Sequence, residues 1–263
     1  MTSFALLARA LHDASVMTLF GSACLLALFT AKVPELAFEG SGLILGRRGA
    51  SLLALASAPA WAIGTQGTVS WLVGTSGGWI LLARLMLLIL LVGAVWAGWL
   101  RVTAWLSGAA LVLIAATSHA AGASLPGFAV IGAANDSLHL LTAAYWIGGL
   151  CVLLAMLGSR PSAPRLPQAV ALLVMTGIIN AAIVLLGNPG HDDLFYAGIL
   201  VLKVILALTM IALALGNHFR LLPRLAQAGM ATRLRNRAGW ELGLGLAVVG
   251  LAALLSLLAP THQ

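Results

Sequence analysis

Charge is what this sequence has least of: Asp, Glu, Lys and Arg make up 8% of its 263 residues. A soluble domain of this size carries roughly a quarter. So few polar groups cannot cover a water-facing surface, which excludes an ordinary soluble domain. Cysteine is scarce as well. The two that occur, Cys24 and Cys151, both sit in apolar runs, which excludes a disulfide framework and leaves buried thiols. There is no Gly-rich phosphate loop and no nucleophile elbow. The chain is therefore expected to be neither an enzyme nor a pump driven by its own ATPase. The formal charge of +7 does not point to nucleic acid, because the basic residues are spread over short connections between apolar runs.

What fills the chain is apolar: 61% of residues are hydrophobic, and the mean hydropathy is +1.05. Several runs approach the roughly 20 residues that a helix needs to cross the hydrocarbon layer. Backbone groups find no water there, and the runs are too long for barrel strands, so the spans are expected to be helices. The expected fold is all-α and polytopic, with eight spans at roughly 6–31, 49–73, 78–100, 104–121, 136–157, 167–187, 195–216 and 239–259. The run from Ala14 to Ala31 exceeds a signal-peptide core and reads as a span. The second span is the weakest, since Gln66 and several Gly and Ser interrupt it.

Lys32, Arg47, Arg48, Arg101, Arg160, Arg165, Arg220, Arg224, Arg233, Arg235 and Arg237 fall in the connections after spans one, three, five and seven. The other connections hold none, so the positive-inside rule predicts cytoplasmic basic loops and periplasmic termini. On that reading His12, His119, His139, His191 and His262 lie at the outer side, as do Asp13, Asp136, Asp192 and Asp193. Such a face attracts cations.

The chain also reads as two copies of one unit, 1–127 and 128–263. Leu11-His12-Asp13 and Asp136-Ser137-Leu138-His139 each open an apolar run. Gly21 and Gly148 follow nine residues after their His, and Cys24 and Cys151 follow twelve after. Arg84 in span three and Lys203 in span seven are each a lone cation in an apolar run. Two parallel four-helix repeats are expected.

His12 and His139 are the leading metal-ligand candidates, because imidazole binds copper, zinc, iron and nickel, and copper tops the divalent order. Asp136 stands three residues before His139, so both share a helix face. The Asp then reaches the same ion or orients the ring; the plainer alternative is that Asn135 or Asp136 caps the helix. His119, at the end of span four, is the fourth candidate ligand. Arg84 and Lys203 are expected to pair with Asp13 and Asp136, since intramembrane charges face a bundle interior; the alternative is snorkelling to headgroups. Met17, Met86, Met156, Met175 and Met210, with Cys24 and Cys151, are soft groups suited to Cu(I), or are simply core filling.

These residues resemble the CopD family of bacterial copper-resistance inner-membrane proteins. The likeness is densest in Asp136-Ser137-Leu138-His139 with Tyr145-Trp146-Ile147-Gly148-Gly149-Leu150, in Met175-Thr176-Gly177, in Tyr196-Ala197-Gly198 through Lys203, and in Gly216-Asn217-His218-Phe219-Arg220. The resemblance implies an inner-membrane protein that takes up a copper ion, Cu(I) or Cu(II), at the periplasmic face. It also implies a periplasmic CopC-like copper carrier as partner, expected here as a separate chain. Two other readings stand beside this one: a b-type haem electron-transfer protein built on the paired His, and a receptor that docks the carrier without transport.

Overall fold

The computed structural model describes residues 3–32, 41–66, 74–116, 128–157, 172–180, 182 and 194–258. Every regular element among them is helical. Helix α1 is Ser3–Lys32, α2 is Ser41–Gln66, α3 is Ser76–Trp96, α4 is Leu100–Ala115 and α5 is Phe128–Leu157. Helix α6 covers 172–180, α7 is Leu194–Gly216 and α8 is Met230–Leu258. A π turn, Asn217–Leu221, and a 3-10 turn, Leu222–Arg224, join α7 to α8.

Five of these helical stretches are long and apolar enough to cross a membrane: Ser3–Leu28, Gly78–Trp96, Val130–Leu157, Leu194–Arg224 and Met230–Leu258. Helix α4 is apolar but has only 16 residues. Helix α2 carries Arg47, Arg48 and Gln66 as well as an internal Pro59, whose missing N–H leaves one helical carbonyl without its usual donor. The expected sixth span is described only over 172–180.

The helices begin earlier than their apolar runs suggest. Helix α5 starts at Phe128, so Asn135, Asp136 and His139 lie in its second, third and fourth turns rather than its first. Phe128 to Ala134 is apolar and Ala-rich and extends the helix outward. The capping alternative for Asn135 and Asp136 is thereby removed. Helix α8 likewise takes in Arg233, Arg235 and Arg237, expected in a loop.

Helix α1 is the hub, packing against α2, α4, α5 and α8. Helices α1 to α4 close a ring, because α2 also packs on α3 and α3 on α4. In the second half α5 packs on α8 and α8 on α7, while α5 reaches α6 through side-chain hydrogen bonds. The interior is filled by Val16, Leu19, Leu88, Leu91, Leu111 and Ala144. Leu202, Val204, Ile205 and Leu208 of α7 remain exposed, as a lipid-facing surface requires.

The halves meet where α1 crosses α5. Lipid is as apolar as leucine, so close packing of small residues does the work that hydrophobic burial does in water. A Cβ on Gly148 would stand 2.6 Å from the Cα of Gly21, and one on Gly21 would stand 2.9 Å from the Cα of Gly148. Only glycine fits on either side. Cys151 lies within electrostatic reach of Thr18, and Cys24 within that of Tyr145. Residues 18 and 145, and 24 and 151, are equivalent under the shift that relates His12 to His139. Leu25 and Leu26 pack on Val152 further along, so α1 and α5 run parallel and carry His12 and His139 toward the same end.

Candidate functional site

In the first half, α1 buries His12 completely. Its Nδ1 lies 3.0 Å from the carbonyl oxygen of Ala54 on α2. A carbonyl only accepts, so Nδ1 carries the hydrogen and Nε2 keeps its lone pair. That Nε2 is buried and has no hydrogen-bond partner. Beside it, Asp13 pairs with Arg9 one turn away at 3.4 Å, and its Oδ1 is also buried without a partner. Arg9 lies over the ring of Trp61 on α2 at 4.6 Å and Arg84 at 5.7 Å. Arg84 also donates to the Leu113 carbonyl of α4 at 3.1 Å. Its charge is felt at both His12 and Asp13. The indole face and the carboxylate together hold two buried guanidiniums, each cation–π contact contributing about 0.5–2 kcal/mol.

The second half repeats the imidazole arrangement with other partners. Nδ1 of His139 lies 3.0 Å from Oγ1 of Thr176 on α6. The Thr176 hydroxyl spends its own hydrogen on the carbonyl of Leu172 at 2.8 Å or of Leu173 at 3.1 Å. It therefore accepts from Nδ1 of His139, and the backbone of Leu173 also bonds this ring. Gly177 makes room for the ring: a Cβ there would stand 3.3 Å from Cε1 of His139. Asn135 donates to the Thr176 carbonyl at 3.0 Å and to Asn180, and Asn180 donates to Asp136 at 3.1 Å. Lys203 of α7 lies within Coulombic range of Asp136 and of His139.

His12 and His139 thus sit at one end of the molecule but in different surroundings, the first among α1, α2, α3 and α4 side chains and the second among those of α5, α6 and α7. Asp136 joins His139 through Asn180 and Asn135 rather than through a direct bond. Asp13 stays with His12, Arg9 and Arg84. His119, His191 and His262 lie outside the described residues. Among the described residues no three His, Cys, Asp or Glu side chains converge as a metal-binding group. Cys24 and Cys151 are free thiols at the helix crossing.

Sequence reading missed the partners that orient these groups. Arg9, near the N-terminus, and Trp61, in a weakly apolar run, carry no such signal in the sequence. Asn180 and Thr176, polar residues within span six, were the available sign. Also missed was a third cluster at the basic-loop end, where the buried Glu241 accepts from Trp146 and Asn217.

Residues 166–255 match the family described as Copper resistance protein D, CopD. They include Thr176, Lys203, Asn217 and Glu241. Inner membrane protein YebZ of Escherichia coli (strain K12) is 30% identical over 143 residues, 48% of this chain and 48% of that protein, so the match spans about half of each. No solved structure matches the chain. Over residues 166–255, the chain is similar to the CopD family.

Proposed function

We propose that this chain is a non-enzymatic copper-handling protein of the bacterial inner membrane, with copper as its substrate. In this reading it spans the membrane eight times as two parallel four-helix halves, 1–127 and 128–263. Both termini and both imidazoles face the periplasm, as the distribution of Lys and Arg supports. Copper meets His12 and His139 through Nε2 and passes toward the cytoplasm. Asp136 and His119 assist at the second and first halves, and Asp13, Arg84 and Lys203 set the local charge. A separate CopC-like carrier delivers the ion.

One observation carries this reading. Each imidazole is held through Nδ1 by the next helix, and Nε2 of His12 is buried with no partner. Fixing one ring nitrogen so that the other binds metal is how metal-ligating histidines are oriented. The orphaned Nε2 of His12 and Oδ1 of Asp13 supply buried donor atoms of the right chemistry. The similarity of residues 166–255 to Copper resistance protein D supports copper over the other metals that imidazole binds.

Copper uptake into sealed vesicles tests the proposal. Vesicles with wild-type protein are expected to accumulate copper, and vesicles with His12→Ala or His139→Ala at equal abundance are not. Binding without accumulation would make the chain a receptor for the carrier. A Soret band on the purified protein would favour the haem reading, which needs two facing imidazoles.

A further inference from the structure

Glu241 lies 3% exposed in α8, among apolar side chains at the basic-loop end of the second half. Its Oε1 accepts from Nε1 of Trp146 on α5 at 2.7 Å, and its Oε2 accepts from Nδ2 of Asn217 at 3.0 Å. Both donors are neutral. Among the described residues no cation stands within ion-pair distance of this carboxyl; the one ion pair found there joins Arg9 to Asp13. A buried carboxylate without a counter-charge is costly, and intramembrane carboxyls of this kind mark ion or proton pathways.

Asn217 supplies the second observation. It is 5% exposed, and its Oδ1 is buried with no hydrogen-bond partner. It begins the π turn Asn217–Leu221, in which the Leu222 N–H reaches back to the Asn217 carbonyl. Such widened turns recur at functional sites. An orphaned amide oxygen against a carboxyl is useful in one circumstance. When the carboxyl takes up a proton, its O–H needs an acceptor, and half a rotation of the amide presents Oδ1 where Nδ2 stood. Trp146 continues to donate to Oε1 throughout. The same three side chains then satisfy the ionised and the neutral acid in turn.

We propose that Glu241, with Asn217 and Trp146, is a proton-binding site in the basic-loop half of the second bundle. Uptake forms one O–H bond on Oε2 from a water-borne proton, and release breaks it. A surface cleft lined by Leu154, Arg235, Asn236, Gly239 and Trp240 lies within two turns of Glu241 along α8. The ionisable groups on the surrounding elements are Arg237, whose guanidinium points at Gly216, with His218 and Arg220 of the π turn. On α5 and α1 they are Cys151 and Cys24, at the helix crossing. Asp136 and Lys203 belong to the opposite end, Asp136 about 15 Å from the level of Trp146 along α5. None of these bonds Glu241, so its proton exchanges with solvent and not with a fixed ionic partner.

Infrared difference spectroscopy of the reconstituted, copper-free protein tests this independently of any copper role. With isotope-labelled glutamate, only Glu35, Glu39 and Glu241 carry the label. In a Glu35→Gln/Glu39→Gln background, a labelled carboxylic-acid C=O band is expected at acid pH, lost on alkalinisation and absent once Glu241→Gln is added. Asn217→Leu is expected to shift the band's frequency and its titration midpoint, because it removes both the donor and the waiting acceptor. Should Glu241→Gln fail to fold, the labelled background is compared with its Trp146→Phe variant, in which the same band is expected to move. A labelled band that does not change with pH would overturn the proposal. So would one that persists in Glu241→Gln or ignores both neighbouring substitutions.

Discussion

Replacing Gly21 by alanine places a methyl where α1 and α5 leave no room. The new Cβ would overlap the Ala144 carbonyl oxygen and stand 2.9 Å from the Cα of Gly148. Gly148→Ala does the same from the other side, 2.6 Å from the Cα of Gly21. The obstacles are backbone atoms, so no side chain can swing away, and the two helices must part by about 1 Å to restore ordinary carbon contacts. Overpacking of this kind costs about 1–3 kcal/mol, and a gap of that width along the crossing also loses a quarter to a half of the dispersion contacts nearby. Each single variant should therefore melt several degrees below wild type in detergent. Because both methyls act on one gap, Gly21→Ala/Gly148→Ala should cost less than the two singles together. The control is Gly93→Ala on α3, where a Cβ meets nothing within 4 Å. That change should stabilise by up to about 1 kcal/mol through helix propensity. If Gly21→Ala and Gly148→Ala melt with wild type while the control behaves as stated, the proposed crossing is wrong.

Three further outcomes follow from the orienting contacts. Thr176→Val keeps the shape but removes the acceptor for Nδ1 of His139. It should cost about 1–3 kcal/mol of stability and lower copper affinity about 10–100-fold in chelator competition. Gly177→Ala should displace the His139 ring by a few tenths of an ångström. Its effect should appear in copper affinity with little change in melting. Asp13→Asn leaves two guanidiniums on Trp61 without their carboxylate and should destabilise the protein by about 3–5 kcal/mol, read as a loss of melting temperature; Arg9→Met/Asp13→Leu should recover much of it.

Sequence alone carried the helical class and the membrane setting, because scarcity of charge and long apolar runs permit few alternatives. Gly21 and Gly148, notable in the sequence only for their equal spacing from His12 and His139, meet where α1 crosses α5. Helix ends were less legible. Apolar periodicity does not show where α5 starts, and the helix-forming residues from Phe128 to Ala134 carried it outward past Asn135. The partners of the cations were not legible either. Arg84, expected to meet an Asp, is within the electrostatic reach of Asp13, and it also shares Trp61 with Arg9 and donates to the Leu113 carbonyl. Glu241 was visible as a lone carboxylate in an apolar run, but nothing in its neighbourhood announced Trp146 from 95 residues away.

X-ray absorption on the purified, copper-loaded protein tests the copper assignment most directly, since imidazole nitrogen scattering around the metal reports the ligand itself. The spectrum of wild type should show imidazole ligation that weakens in His12→Ala and in His139→Ala and disappears in the double variant. Copper that binds with an unchanged spectrum in the double variant, or a folded wild-type protein that retains no copper, would contradict the account.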